Sequence, residues 1–369
     1  MVKILAIISE PFANGGEETF IINVIKNIGE NFIIDLYAPF GFNNDNYRSI
    51  IESYGGKVIV ENPPLKPNNI RINIVIPLLK KLCYEYYDVV HIHSSNISPL
   101  AFAAFAAKIK RIETICVHSH STGESNSIKH KIAKLLFNPL LYMCPSYYFA
   151  CSKDAGEWKF PKRIVNKKLK ILKNGIDLNS FRIDKEKRLV YRNKLGYGFD
   201  DLVIGHVGRF SEEKNHDFII DVFSELHKKH SDYKLLLLGD GELRQSIESK
   251  VEKLDLSNNV IFTGNVNNVQ DYMQAMDLFV LPSLFEGLPL TGVEAQACGL
   301  PCVFSTGVPE EAKLTDNVKF VSLRDKGKWM ETIEKMIKLP KSDNTEKIRE
   351  AGYDINETAK QLESIYLRV

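Results

Sequence analysis

The sequence predicts an α/β protein made of two doubly wound domains. Apolar runs recur between helix-patterned stretches, which is the signature of strand–helix alternation. The runs are continuous and not alternating, as in strands covered on both faces of a parallel sheet. The rhythm then restarts in mid-chain, and 369 residues exceed what one hydrophobic core usually organises.

The first domain spans residues 1–177. Its opening run, VKILAII, reads as a buried first strand. No small-residue cleavage site follows it, so it is not read as a signal peptide. The helical pattern EETFIINVIKNIGE and the strand FIIDLYA come next. YDVVHIHS leads into the helical SPLAFAAFAAKIK, and ETICVHSH is a further strand. The switch falls between Asn174 and Asp184. DLVIGHVGRF and YKLLLLGDG then read as strands around the helix NHDFIIDVFSELHKKH, followed by NNVIFTGNV, AMDLFVLPS and PCVFST. The second domain covers 178–352. A terminal helix over 353–369 is expected from Ile355, Ala359, Leu362, Ile365 and Tyr366 at helical spacing.

Composition fits an ordinary globular protein, with 44% hydrophobic and 25% charged residues. No apolar stretch is long enough to span a bilayer. Six cysteines are scattered without a Cys-x-x-Cys pair, which suits free thiols in a reducing compartment and points to the cytoplasm. The net charge of +2 is uneven. Residues 1–177 hold 22 Lys and Arg against 15 Asp and Glu, whereas the rest holds 26 against 31. A basic front half suits an anionic acceptor or an acidic membrane face, or is simple drift. Nothing points to nucleic acid.

Ligands of open α/β sheets bind at the carboxyl ends of strands, and the informative residues follow strands. Gly15 and Gly16 let backbone approach a ligand ahead of a helix start, which suits a phosphate or serves only as a tight turn. Gly208, Arg209 and Lys214 end another strand. An arginine fork with a lysine makes a clamp for a diphosphate. In PSLFEGLPLTGVEAQACGLP, Glu286 and Glu294 flank a Gly-Leu-Pro turn and a helix start. They can bind a metal, act as acid and base, or accept hydrogen bonds from a sugar diol. Carboxylate metal sites usually need more oxygen ligands than two. Two histidine pairs follow strands: His91 with His93, and His118 with His120. Each pair shares a strand face. Neither Glu nor Cys stands near them in a recognisable zinc pattern, so no metal is expected. His120 falls at the strand end and His91 in the core.

GGEETF, DVVHIHS, VHSHS, ILKNGID, GRFSEEK, LLLLGDGELR, FTGNV and PSLFEGLPLTGVEAQACGLPCV stand in this order over nearly the whole chain. Together they resemble the family 4 glycosyltransferases of the GT-B fold, and most of all those that build bacterial capsular or exopolysaccharide units. The resemblance implies two Rossmann-like domains facing across a cleft, with the terminal helix crossing back to the first. It implies a retaining, metal-independent hexosyltransferase without a cofactor. The donor would be a nucleoside diphosphate sugar, with UDP as the carrier and a hexose or N-acetylhexosamine to transfer. Arg209 and Lys214 would hold the diphosphate with the amides at Gly15 and Gly16, beside Gly208. Glu294 would bind the ribose, and Glu286 the transferred sugar. Gly287, Leu288, Leu290 and Thr291 would complete the pocket, Val266 would touch the base, and His120 or else His118 would sit by the donor sugar.

The stretch IKHKIAKLLFNPLLYM is basic at one end and apolar after it, and WKFPKRIVNKKLK adds charge. Both suit a lipid-linked oligosaccharide acceptor at the inner membrane face, or a core helix and a solvated loop. Two other readings compete with the transferase: a GT-B sugar-nucleotide epimerase, and a non-catalytic GT-B partner subunit.

Overall fold

Every strand found in the sequence lies in one of two parallel sheets. In the computed structural model, residues 1–12, 15–66, 72–120, 128–198 and 200–368 are described. The chain divides into two units: Met1–Ile176 together with Asp354–Val369, and Asp177–Tyr353.

The first unit holds seven strands: β1 (Val2–Ile8), β2 (Phe32–Ala38), β3 (Val58–Val60), β4 (Val89–His93), β5 (Thr114–Ser119), β6 (Tyr147–Ala150) and β7 (Leu169–Ile171). Their order is β3-β2-β1-β4-β5-β6-β7. All pairs are parallel, so each connection must cross over a sheet face and both faces are covered. One face carries Leu5, Ile7, Val90 and Ile92 against the alanine-rich helix Ile97–Ile109. The opposite face carries Ile4, Ala6, Ile8 and Cys116 against the helices Gly16–Asn27 and Ile355–Tyr366. Register sets Ala6 beside His91, Ile8 beside His93, and His93 beside His118. A period of two therefore stacks the histidines of β4 and β5 on this second face.

The helix Ile355–Tyr366 completes the first unit. Its N-cap, Asp354, accepts from the Asn356 amide, and Ile355 N donates to Ile176 O at 3.1 Å. Gly175 permits this approach, because a Cβ there would meet the Ile355 backbone at 2.7 Å. Further along, the Gly29 amide donates to Glu363 at 2.7 Å.

The second unit holds β8 (Leu202–Val207), β9 (Tyr233–Leu238), β10 (Val260–Phe262), β11 (Leu278–Leu281), β12 (Cys302–Ser305) and β13 (Val318–Val321). The order is β10-β9-β8-β11-β12-β13, again all parallel. Its core joins Leu235, Leu237 and Val280 to the helices His216–Lys229 and Lys326–Met336. Strand order reverses between β8 and β11, so the loops after these two strands diverge and leave a crevice at their carboxyl ends.

Candidate functional site

The loops at the β8/β11 switch point, with the helix after β11, carry the second unit's candidate residues other than Val266. After β8 the chain passes Gly208 and Arg209 into a single 3₁₀ turn, Glu212–Lys214. Asn215 is left-handed at φ 56° and ψ 47° and ends that turn. After β11 comes the loop holding Glu286, then the helix Leu290–Ala297. Two hydrogen bonds brace the loops: Leu284 N donates to Glu213 O at 2.8 Å, and Asn215 Nδ2 to Pro282 O at 3.2 Å. The brace brings Lys214 Nζ onto Glu286 Oε1 as an ion pair. Ser283 Oγ donates to the same oxygen at 2.7 Å, and the Glu286 amide donates to Gly307 O at 3.0 Å. A lysine and a glutamate from separate loops are thus fixed within hydrogen-bond reach at a strand-end crevice.

Gly208 lies beside this pair: a Cβ there would stand 3.4 Å from Lys214 Cδ and 2.8 Å from His206 Nε2. The strand β9 must also pass close. Gly239 has φ +127°, and a Cβ on it would sit 2.0 Å from Gly208 O, so only glycine fits. Arg209 does not join the pair. Its guanidinium is 71% exposed and meets Glu242 at 3.2 Å. An exposed ion pair of this kind is weak and leaves the arginine available.

Glu294 lies one turn into the helix Leu290–Ala297. Burial pushes its carboxyl up to about 7, although part of its surface remains open. Gly287 is exposed, with nothing within 4 Å of where its Cβ would be. Leu288, Leu290 and Thr291 are half-buried at the helix start, and Val266 is half-buried in the loop between β10 and the helix Val269–Ala275.

In the first unit, Gly15 caps the helix Gly16–Asn27 with extended backbone. Its carbonyl accepts from Thr19 N at 3.0 Å, while the first-turn amides have no intrahelical partner. His118 is fully buried on β5. Its ring packs against Phe20 at 5.0 Å and lies 4.0 Å from the His120 ring. His120, just past the strand end, is only partly covered and shares a 2.9 Å hydrogen bond with His93 Nδ1. Burial lowers the His120 ring to about 3, opposed by the side chain of Asn174. Of VHSHS, Ser121 lies outside the described residues, as does Asn14 before Gly15.

The sequence reading missed two groups. Ser283 fixes the rotamer of Glu286, but a serine in PSLFE carries no signal for this. Lys159 lies within the stretch read as exposed and basic, yet it is fully buried and donates to Ser95 O at 2.5 Å. Burial draws its amine down to about 7, opposed by Glu17 and Glu10, and raises Glu17 to about 8. Only the aromatic residues around it, Trp158 and Phe160, hint at burial. Among the described residues no helix is long and apolar enough to cross a membrane.

With this geometry in hand, known proteins are informative. The family model for Glycosyltransferase Family 4 matches residues 14–180, and that for Glycosyl transferases group 1 matches 188–354. EpsF of Bacillus subtilis (strain 168), provisionally named a glycosyltransferase, is 29% identical over 366 residues, covering 95% of this chain and 93% of that protein. The capsular polysaccharide biosynthesis glycosyltransferase CapH of Staphylococcus aureus is 26% identical, over 100% of this chain and 99% of its own. Anabaena HepE, solved in complex with UDP and glucose, superposes with a TM-score of 0.75 at 20% identity over 100% of both chains. At that identity the likeness to HepE speaks for the fold.

Proposed function

This chain belongs to the glycosyltransferases of GT-B fold, related to enzymes of bacterial capsule and exopolysaccharide synthesis, and on that premise we propose that it moves a hexose or N-acetylhexosamine from a UDP-sugar to a sugar hydroxyl of a growing, lipid-linked repeat unit, with retention at the anomeric carbon. The carrying observation is the braced Lys214–Glu286 pair at the β8/β11 switch point, with Glu294 on the next helix. The UDP and glucose bound by HepE support the donor class.

Lys214 and Arg209 are assigned the diphosphate. Cleaving the sugar–phosphate bond places negative charge on the leaving nucleotide, and preorganised cations with helix-start amides stabilise that charge as it develops. Glu286, freed from Lys214 as the phosphate takes the lysine, accepts hydrogen bonds from the transferred sugar. Glu294 accepts from the ribose diol. The amides of Gly287, Leu288, Leu290 and Thr291 and the surface of Val266 line the sugar and base. In the first unit, the amides at Gly15 and Gly16 suit a phosphate oxygen. His120, partly open at the strand end, suits a sugar hydroxyl better than the enclosed His118. The acceptor hydroxyl attacks from the face the nucleotide leaves, and a phosphate oxygen takes its proton. No divalent ion enters this scheme.

The helix Ile128–Met143 supports an acceptor at the inner membrane surface. Ile132, Leu135, Leu136 and Met143 are 53%, 76%, 64% and 72% exposed, with Lys131 and Lys134 on the same helix. An exposed apolar stripe beside lysines suits an acidic lipid surface.

The test is a panel of UDP-, GDP- and ADP-sugars titrated against thermal stability in EDTA, for wild type and Glu294→Ala. A ligand at a hundred times its Kd adds about 2.7 kcal/mol. Stabilisation of wild type by one UDP-sugar, lost in Glu294→Ala, is the expected result. No binding, or binding only with a divalent ion, would sink the proposal. Conversion of the donor without acceptor would instead identify an epimerase.

A further inference from the structure

Four imidazoles meet inside the first unit. His91, His93 and His118 are 2%, 3% and 0% exposed, and His120 closes the group at the end of β5. The rings of His91 and His93 lie 4.1 Å apart, those of His91 and His118 5.5 Å apart and nearly parallel. One ring nitrogen from each of His91, His93 and His118 lies within 4.8 Å of the other two. Aromatic walls close the group: Phe20 on the first helix and Phe149 on β6.

The hydrogen bonds divide these rings into tied and free nitrogens. His91 Nδ1 shares a 2.6 Å bond with the Tyr366 hydroxyl, and His93 Nδ1 a 2.9 Å bond with His120 Nε2. His91 Nε2 and both nitrogens of His118 are buried without a partner. The Leu172 main chain lies beside the His118 ring, outside hydrogen-bond geometry. Buried polar atoms are nearly always paired, so several orphaned nitrogens in one place call for an occupant. A small cavity bounded by Phe20, His91, His93 and Tyr366 adjoins them.

We propose that His91, His93 and His118 form a three-imidazole site for a divalent transition ion of the zinc class, with Tyr366 and His120 orienting the ligands from outside. Metal-ligating histidines typically hold a second partner on the other ring nitrogen, which fixes tautomer and ring plane. Here two of the three already have one. Imidazole donors suit zinc, copper, nickel and iron more than magnesium or calcium. Burial keeps the three rings neutral, the form that ligates. At a zinc–nitrogen distance of about 2.0–2.1 Å, tetrahedral ligands stand about 3.3 Å apart, so the ring nitrogens, now within 4.8 Å of one another, would draw inward on the ion. Three protein ligands leave a fourth position for water. The ion would link β4 and β5 directly and the terminal helix through Tyr366. This site shares only His120 with the residues assigned to the donor, through the His93–His120 hydrogen bond, and metal binding does not depend on the donor reading.

The experiment uses the full chain, stripped with chelator and then given Zn²⁺ or Co²⁺. About one ion per chain retained after gel filtration, a tetrahedral Co²⁺ absorption band, and a higher melting temperature are expected. His227→Gln, on a helix of the second unit, should retain the ion, and His118→Gln should not. Tyr366→Phe should weaken Zn²⁺ about 10–100-fold. Should His118→Gln fail to fold, the wild-type Co²⁺ spectrum and the Tyr366→Phe affinity still decide. Retention well below one equivalent, an octahedral Co²⁺ spectrum, or Zn²⁺ affinity unchanged in Tyr366→Phe would overturn the proposal.

Discussion

Lys214 and Glu286 come from loops 72 residues apart and form an ion pair at the carboxyl ends of β8 and β11. Their side chains are 19% and 12% exposed, so the pair is largely screened from bulk solvent. On the proposed assignment, a donor diphosphate would compete with Glu286 for the lysine, and a sugar would compete with the lysine for Glu286. Lys214→Ala should lower kcat/KM by on the order of 10²–10³. Combined with Glu286→Gln, the loss should fall short of the sum of the single losses, because the residues share one network. Steady-state kinetics on the four proteins measures the coupling. Strict additivity would mean that the pair is incidental.

Glu294 sets a pH dependence. Its carboxyl rises from 4.5 to about 7 because it is buried. Below about pH 4.5 both folded and unfolded chains hold the proton, so the group costs nothing. Between 4.5 and 7 the unfolded chain releases it first, and stability falls by up to about 3 kcal/mol. Above 7 the loss is constant. Glu294→Gln should thus gain stability over wild type more at pH 8 than at pH 5, read by urea melts at both. Donor affinity should move the other way in wild type. It weakens as pH drops below 7, because the neutral acid accepts diol hydrogen bonds poorly.

Tyr366→Phe removes the hydroxyl that pairs with buried His91. The orphaned nitrogen should cost about 1–3 kcal/mol. In metal-free protein, the urea midpoint should fall with little change in slope. An unchanged midpoint would show that the hydrogen bond contributes nothing net.

Gly239→Ala introduces a methyl where Gly208 O would stand 2.0 Å away, at a φ of +127°. The left-handed backbone alone costs on the order of 1–3 kcal/mol. The clash also pushes the 208–214 loop off its brace, so UDP-sugar affinity should drop together with melting temperature. Calorimetric titration beside a thermal melt checks both. Normal affinity in a destabilised variant would separate the loop from the site.

Leu135→Asp with Leu136→Asp alters two exposed positions, so stability should change by less than about 0.5 kcal/mol. Co-sedimentation with vesicles containing an acidic phospholipid should be lost, and activity on a short soluble acceptor retained. Equal sedimentation of variant and wild type would remove the membrane reading.

The long strands and the glycine-bearing loops that follow them were legible because they depend on local pattern. Val2–Ile8, Phe32–Ala38 and Tyr233–Leu238 are apolar runs broken by a single charge each, at Lys3, Asp35 and Lys234. The three-residue strands β3 and β7 and the four-residue strands β6 and β13 escaped notice. They lie toward the sheet edges, where few residues carry the pattern. The Glu286 loop was found by residue type and spacing, whereas its pairing with Lys214 rests on contacts between distant loops. The histidines taught the same lesson. His118 reaches His91 and His93 from the neighbouring strand by sheet register, which no spacing within either pair reveals. Burial of Lys159 was invisible for the same reason: its charge reads as solvated until the fold encloses it.

The Ile355–Ile176 hydrogen bond places the exit from the first unit beside the return into it. Residues 177–353 are therefore an insertion with neighbouring ends. On a ribosome working from the amino end, the second unit can close as soon as its own strands have emerged. The first has to wait, its histidine face open, until residues 355–366 are made. The half of the chain synthesised first is thus the half finished last. During that interval its exposed apolar face is the part of the nascent chain that a holding chaperone would be expected to grip.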